Sequence, residues 1–177
     1  ILAQRQGRTQ KPVFLMLWSR DCMPCVAERG EWASQRKAIT ESGLGVLALE
    51  LPLDPGSTDS IAPSSDWPYA SATCPEASAN LLHALACYFT DSTLPLAVPM
   101  GFLIDGKGRI QVLYWGAASV EEVLGDRALF DLSGPERLRA ALPFDGLYWE
   151  PPSEPDWNRW AGVLRARDLP EVAAEVE

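Results

Sequence analysis

The chain has 177 residues, of which 47% are hydrophobic and 22% are charged. Single domains usually contain about 100–150 residues, so this length accommodates one compact domain and a shorter additional segment. The composition is that of a globular protein and excludes a disordered chain, which combines low hydrophobicity with high charge. The net charge of −9 repels phosphate backbones and anionic lipids, so nucleic acid is not an expected partner.

The first third of the chain predicts a strand, a helix and a second strand. Residues 11–18 are almost continuously apolar, which is typical of a strand buried on both faces. A helix is predicted from Met23 to about Ser42, where a Ser-Gly pair supplies the stop signal. Residues 44–51 predict the second buried strand, and the proline-rich stretch 52–75 is interpreted as an irregular surface insert outside the core.

The middle of the chain predicts a helix, a β-hairpin and a capped helix. Glu76–Phe89 is apolar at helical spacing. A hairpin is predicted over Met100–Trp115, with its turn in a D-G-K-G sequence. A short helix over 119–124 begins with the capping-box pair Ser119 and Glu122. The order of these elements predicts a single α/β domain that ends near residue 130.

The remainder of the chain predicts a helical extension. We place the α/β domain at residues 1–130, a connecting segment with a proline-rich linker at 131–155 and a helical hairpin at 156–177. The break between the two helices of this hairpin is predicted at Arg167-Asp168. Such a pair is also the unit from which helical repeat arrays are built.

No membrane-spanning segment is predicted. The longest apolar run is Val13–Trp18, whereas a membrane-spanning helix needs about 20 apolar residues. The sequence starts at Ile1 without a basic and apolar leader, so we expect it to be a processed or excised piece of a longer product.

The strongest chemical signal is the C-x-x-C pair Cys22 and Cys25, which lies at the junction between the first predicted strand and the helix that follows it. A cysteine at a helix N-terminus faces unpaired backbone N–H groups and the positive end of the helix dipole, which lower the thiol pKa. Asp21 opposes this effect by adding a negative charge. Because Cys25 lies one turn further on, it can close a disulfide after Cys22 has attacked a partner.

Two other interpretations of the C-x-x-C are half of a zinc site and a structural disulfide. Zinc normally has four ligands, and Cys74, Cys87 and the single histidine, His83, do not provide the usual second pair. A bridge across two residues closes too small a loop to stabilise a fold. No metal is predicted. A second disulfide between Cys74 and Cys87 requires Cys74 to fold back, because the ends of an intervening helix lie about 20 Å apart.

Two separated stretches resemble the thioredoxin-like superfamily, specifically its TlpA/ResA-type thiol-disulfide oxidoreductases. VFLMLWSRDCMPCVAE is similar to the family's strand, W-x-x-x-C-x-P-C and following Glu, and LAVPMGFLIDGKGRI is similar to its cis-proline, strand, turn and strand. The resemblance covers about residues 10–130. It implies an α/β thioredoxin fold with an insert before the helix that precedes the cis-proline, and a cis bond between Val98 and Pro99.

The resemblance implies roles for the matched residues. Cys22 corresponds to the nucleophile and Cys25 to the resolving cysteine, so the redox-active disulfide is the reactive group and no other cofactor is predicted. Glu28 corresponds to an acid that assists proton transfer near the cysteines, with a solvated helix glutamate as the alternative. Substrate contacts are expected at five further positions around the cysteines, namely Trp18, Met23, Pro24, Val98 and Pro99.

Several residues depart from the family pattern. Met16 stands where thioredoxin has a buried Asp, and Met100 and Gly101 follow the proline where Thr or Ser is usual. These departures motivate an alternative function, a catalytically weak redox or binding module within a larger repeat protein. A peroxiredoxin-type peroxidase is a further alternative, but Leu15 occupies the position where its motif needs Pro.

The region after the hairpin has a narrower resemblance. RIQVLYWGAASVEEVLGD, ALPFDGLYWEPP and LRARDLPEVAAEV are similar to redoxin domains of large exported bacterial proteins in which tetratricopeptide repeats follow. This likeness implies that Trp157 and Trp160 pack inside the helical hairpin. Taken together, the resemblances imply disulfide exchange with protein thiols, an unidentified redox partner and an extracytoplasmic location. His83 matches no motif and is expected in the core or at its rim.

Overall fold

The computed structural model describes residues 11–51, 66–141 and 155–176. These residues form two compact units. The first contains the described residues up to Thr73 together with Val98–Asp131, and the second contains Cys74–Ala97 together with the described residues from Leu132 onward. Most of the predicted insert and most of the predicted proline-rich linker lie outside the described residues. The predicted domain boundaries therefore stay predictions.

The first unit is built on a five-stranded mixed sheet in the order β3-β2-β1-β4-β5. Three strands are parallel to one another, and the last two form an antiparallel hairpin beside the central strand. The predicted strands and the hairpin are confirmed, and so is the α/β class. The strands are β1 (Val13–Trp18), β2 (Gly45–Glu50), β3 (Ala70–Thr73), β4 (Met100–Ile104) and β5 (Ile110–Trp115).

Strand β3 corrects the interpretation of residues 52–75 as a surface excursion. Ala70–Thr73 pairs in parallel with the end of β2, and Trp67 just before it is buried. The sequence does not reveal this strand because its residues are small and three of its four side chains are exposed. It therefore lacks the alternation of apolar and polar residues that predicts a half-buried strand.

The helices of the described residues differ from the predictions at three places. The helix predicted over Met23–Ser42 is broken, the helix predicted over 119–124 extends to Ala128, and Gly134–Ala141 forms a helix within the predicted connecting segment. The helices are α1 (Met23–Ser34), α2 (Arg36–Ser42), α3 (Glu76–Thr90), α4 (Val120–Ala128), α5 (Gly134–Ala141), α6 (Trp157–Arg165) and α7 (Pro170–Ala174). The helix predicted over Met23–Ser42 is interrupted at Gln35. The hydroxyl of Tyr69 donates to the Trp32 carbonyl at 2.9 Å, the group that would accept from residue 36 in an unbroken helix.

The core of the first unit fixes helix α1 against the sheet. The rings of Phe14 on β1 and Trp32 on α1 stack at 4.4 Å, and both side chains are completely buried. A Cβ on Gly101 of β4 would lie 2.6 Å from the Phe14 ring, so only glycine allows this close packing. The predicted cap of α4 is confirmed, because the Ser119 hydroxyl accepts from the Glu122 N–H at 3.2 Å.

The second unit is a small helical cluster. Its core consists of Ala84 on α3, Ala161 and Leu164 on α6, and Ala173 on α7. Helix α6 ends before the predicted break, and Asp168 adopts a left-handed φ of 57°.

The structure bears on three predictions about this part of the chain: the packing of the two tryptophans, the second disulfide and the place of His83. Trp160 packs against the core as expected, but Trp157, in the first turn of α6, is 56% exposed, so its predicted packing is wrong. Cys74 and Cys87 are both buried and are not bridged, so the possible second disulfide does not form in this structure. His83 is half-buried at the rim, where its Nε2 lies 2.8 Å from the Leu94 carbonyl oxygen.

Candidate functional site

Cys22 and Cys25 lie at the N-terminus of α1 and form a disulfide with a Cα–Cα distance of 5.2 Å. Cys22 is the N-cap residue of this helix, and its sulfur accepts a hydrogen bond from the Cys25 N–H at 3.2 Å. Pro24 fits the first turn because that turn needs no N–H donor from it. Cys22 is half-buried and Cys25 is completely buried, so only Cys22 is accessible to a partner.

The segment before β4 brings a second element against Cys22. The Val98–Pro99 peptide bond is cis, as the resemblance implies. The Cys22 sulfur lies 3.6 Å from the Val98 carbonyl oxygen, although these residues are separated by 76 positions. The Gly116 N–H donates to the Pro99 carbonyl at 3.1 Å, which ties the loop after β5 to the same segment. The fold therefore assembles the cysteines, Val98 and Pro99 at one place.

Glu28 lies one turn after Cys25 on the same face of α1 and is 5% exposed. One carboxylate oxygen accepts from the Ala118 N–H at 2.9 Å, whereas the other has no hydrogen-bond partner among the described residues. Burial raises the pKa of Glu28 to about 7, with the Ala118 hydrogen bond lowering it and the charge of Glu31 raising it. The alternative of a solvated helix glutamate is therefore wrong.

The residues that depart from the family pattern at Met16, Met100 and Gly101 are all buried. Met16 is completely buried in the central strand and lies beside Gly101 in the antiparallel register. Met100 is 1% exposed and so faces away from solvent. Among the carboxylates of α1, Glu28 is the one that is buried.

The predicted substrate-contact residues differ in accessibility. Met23 is 76% exposed between the two cysteines, and Pro24 is exposed beside it. Val98 is half-buried, and Pro99 is buried. Trp18 is only 6% exposed, so it offers a partner very little surface. Met23 and Pro24 thus form the open rim of the site, whereas Trp18 belongs to its interior.

An arginine that the sequence analysis did not single out stacks on Trp18. The Arg29 guanidinium carbon lies 3.7 Å from the centre of the Trp18 ring and 4.6 Å from the centre of the Trp67 ring. Burial lowers the pKa of Arg29, and the negative charge of Glu50 partly offsets this effect. No local pattern predicts this arrangement, because Trp18 and Trp67 come from different parts of the chain.

Glu50, at the end of β2, is a second buried carboxylate that sequence reasoning missed. It is 3% exposed and accepts from the Arg20 guanidinium at 2.8 Å. It pairs with Trp18 in the parallel register, so it lies on the strand next to β1, at the end that leads to the cysteines. The signal available in the sequence is a single charged residue that closes an apolar strand, which is unusual for a buried strand.

A metal site and a membrane-spanning helix are both absent from the described ranges. No cluster of three or more histidine, cysteine or carboxylate side chains is arranged to hold a metal ion there. No helix in these ranges has the length and apolarity needed to cross a bilayer.

The comparisons with known proteins identify the fold. No protein-family model matches the sequence, and no curated protein matches it significantly. A thiol:disulfide interchange protein of the thioredoxin family from Chlorobium tepidum has a TM-score of 0.50 at 14% identity, covering 67% of this chain and 79% of its own. StoA from Bacillus subtilis has a TM-score of 0.46 at 14% identity, covering 69% and 85%.

A further similar structure is a secreted disulfide oxidoreductase from Mycobacterium tuberculosis, with a TM-score of 0.43 at 17% identity over 68% of this chain and 83% of its own. At such identities the likeness concerns the fold alone. Together with the sheet order and the helix that follows β1, the match to the Chlorobium tepidum protein shows that the chain has a thioredoxin fold.

Proposed function

We propose that this protein is a thiol-disulfide oxidoreductase that exchanges disulfides with protein substrates through Cys22 and Cys25. The observation that carries the proposal is the Cys22–Cys25 disulfide at the N-terminus of α1, 3.6 Å from the Val98 carbonyl oxygen. In its reduced form, Cys22 faces the backbone N–H groups of the first helical turn, which favour the thiolate.

The exchange begins when the Cys22 thiolate attacks one sulfur of a substrate disulfide. A mixed disulfide forms, and the other substrate sulfur leaves as a thiolate that takes a proton from water. Cys25 then loses its proton and attacks the Cys22 sulfur, so the second substrate thiolate leaves and the Cys22–Cys25 disulfide is restored. The substrate gains two electrons, and the cysteine pair loses them.

Glu28 is the group that accepts the Cys25 proton in this scheme. It lies one turn below Cys25, it is buried, and one of its carboxylate oxygens has no hydrogen-bond partner among the described residues. Burial raises its pKa to about 7. At neutral pH this carboxylate can therefore both accept and release a proton. Val98, Pro99, Met23 and Pro24 are the residues that meet the substrate backbone and rim the nucleophile.

An extracytoplasmic location and a tetratricopeptide array that begins with α6 and α7 are part of the same proposal. Both rest on the sequence resemblance, and the helical pair α6 and α7 is compatible with the first unit of such an array. The physiological redox partner is proposed by class only, as a protein thiol or disulfide.

The test is insulin reduction by dithiothreitol with the wild-type protein, two variants of the cysteine pair and one control variant. Cys22→Ser is expected to abolish the catalysed rate. Cys25→Ser, reduced and then freed of dithiothreitol before insulin is added, is expected to trap a mixed disulfide at Cys22 that mass spectrometry detects. Cys74→Ala, which removes a buried thiol of the second unit, is the control and should retain the wild-type rate. Full activity of Cys22→Ser refutes the proposal. An inactive wild type favours the binding-module alternative.

A further inference from the structure

A shallow groove runs along the solvent side of α1, beginning one turn after the nucleophile. Its volume is about 190 Å³, and it lies between α1 and the residues that precede β3. The groove is lined by Val26, Arg29, Gly30, Ala33, Asp66 and Trp67.

The size and lining of this groove fit one apolar side chain. Pockets that enclose a drug-sized ligand have volumes of about 300–1,000 Å³, which is larger than this groove. Its walls are the indole of Trp67 and the small side chains Val26 and Ala33, and nothing lies within 4 Å of the place where a Cβ of Gly30 would be. Gly30 thus leaves the floor of the groove open.

The charges of the groove do not select a charged occupant. Arg29 and Asp66 bear opposite charges, so the lining carries no net charge. The Arg29 guanidinium is also stacked against the Trp18 and Trp67 rings, at 3.7 and 4.6 Å from their centres. Val26 is 46% exposed, which leaves an apolar surface uncovered in the described residues. An uncharged, apolar group is the occupant that gains most from this surface.

The groove lies close to the rim of the candidate site along α1. Val26 follows Cys22 by one turn, and the 76% exposed Met23 lies between them on the same helix. Gly30 is eight residues after Cys22, which is about 12 Å along a helix that rises 1.5 Å per residue. An extended polypeptide covers this distance with three or four residues, at roughly 3.3–3.6 Å each.

We propose that the groove binds an apolar side chain of the substrate polypeptide, three or four residues away from the cysteine that pairs with Cys22. This inference rests on the proposed function and adds to it a preference for substrate sequence. The groove selects among polypeptides by the side chain at one position, while the exchange chemistry at Cys22 is the same for all of them.

The test uses the reduced protein and short peptides whose single cysteine is joined in a disulfide to 5-thio-2-nitrobenzoate. The Cys22 thiolate attacks the peptide sulfur, and the nitrobenzoate thiolate leaves because it is the better leaving group. Cys25 then displaces the peptide thiolate and forms the Cys22–Cys25 disulfide. Each peptide carries one leucine in a Ser/Gly background, one to six residues before or after its cysteine. The released coloured thiolate gives the second-order rate constant.

We expect the rate constant to peak when leucine is three or four residues from the cysteine on one side. Partial burial of one leucine predicts a rate about tenfold above that of the leucine-free peptide. Gly30→Leu fills the groove, so the ratio between the two peptides should fall close to one. Gly125→Leu is the matched control: this glycine is also exposed, helical and free of neighbours within 4 Å, and its variant should keep the tenfold ratio.

The outcomes separate this inference from the proposed function. A flat profile along the peptide series, or a peak that survives Gly30→Leu, overturns the groove as a substrate site while Cys22-dependent exchange stands. Failure of every peptide to react with Cys22 overturns the proposed function itself. Circular dichroism of Gly30→Leu verifies the fold, and leucine favours an exposed helix more than glycine does.

Discussion

Both backbone groups of Ala118 are held by side chains of α1. Its N–H donates to the Glu28 carboxylate at 2.9 Å, and its carbonyl accepts from the Trp32 indole, also at 2.9 Å. Two residues earlier, the Gly116 N–H donates to the carbonyl of the cis-proline Pro99. The short loop after β5 therefore connects the helix that carries the cysteines to the segment that we propose holds the substrate.

Glu28→Gln is expected to change how the stability of the oxidised protein depends on pH. The pKa of Glu28 is raised from 4.5 to about 7 in the folded state, so the native protein retains a proton that the unfolded chain loses. The contribution of Glu28 to stability is therefore fully present below pH 4.5 and is lost as the pH rises through 7. Since one pKa unit corresponds to about 1.4 kcal/mol, the loss is at most about 3.5 kcal/mol.

Urea denaturation at pH 5 and pH 8 measures this difference. Glu28→Gln removes the titrating group and should reduce the loss of stability between the two pH values. Glu41→Gln, a substitution of an exposed glutamate on α2, is the control and should behave as the wild type. An unchanged pH dependence in Glu28→Gln would show that Glu28 is ionised throughout this range.

The same substitution is expected to slow the resolution of the mixed disulfide. If Glu28 accepts the Cys25 proton, the wild-type rate of resolution rises as Glu28 loses its proton near pH 7. Proton transfer by a positioned group contributes roughly 10²–10⁴-fold, so we expect Glu28→Gln to slow this step by at least about tenfold at pH 7. Stopped-flow measurement of Cys22–peptide mixed-disulfide decay, from pH 5 to 9, gives the profile. A rise near pH 7 that persists in Glu28→Gln contradicts the role.

The four cysteines are expected to react very differently with iodoacetamide after reduction. Cys22 is half-buried at the helix N-terminus, whereas Cys25 is completely buried. We expect Cys22 to be alkylated at least about tenfold faster, because the thiolate is favoured and accessible only there. Cys74 and Cys87 are buried and serve as internal references within the same peptide map. Faster alkylation of Cys25 than of Cys22 would reverse the assignment of nucleophile and resolving residue.

Gly101→Ala is expected to destabilise the protein, because a Cβ at this position would lie 2.6 Å from the Phe14 ring. That ring stacks on Trp32, so it has little freedom to move away. Overpacking of a core costs about 1–3 kcal/mol. Gly125→Ala, on the exposed surface of α4, is the matched control and should be neutral or stabilising. Equal unfolding midpoints for the two variants would mean that the sheet adapts to the added methyl group.

Local sequence signals predicted the elements that depend on neighbours in the chain. The apolar run of β1, the DGKG turn of the hairpin, the Ser119 cap and the C-x-x-C at the start of α1 all follow from residues a few positions apart. The resemblance added the cis bond before Pro99, which composition and periodicity do not contain.

The structural features that the sequence did not predict depend on contacts between residues that are distant in the chain. At the break near Gln35, the Trp32 carbonyl accepts from the distant Tyr69 hydroxyl, and the edge strand β3 is defined by its pairing with β2. The exposure of Trp157 depends on where the small helical core ends, not on its spacing from Trp160. None of these features has a local pattern, because each is defined by a partner far away in the sequence.

The sequence by itself singled out the residues that we propose carry the chemistry, since Cys22 and Cys25 stand at a strand-to-helix boundary that short-range rules reveal. Only the tertiary structure decided the environment of that chemistry. It buried Glu28 against Ala118 and placed Val98 beside Cys22. It also left a groove beside Gly30. Burial and pKa depend on everything packed around a side chain, and that packing exists only once the chain has folded.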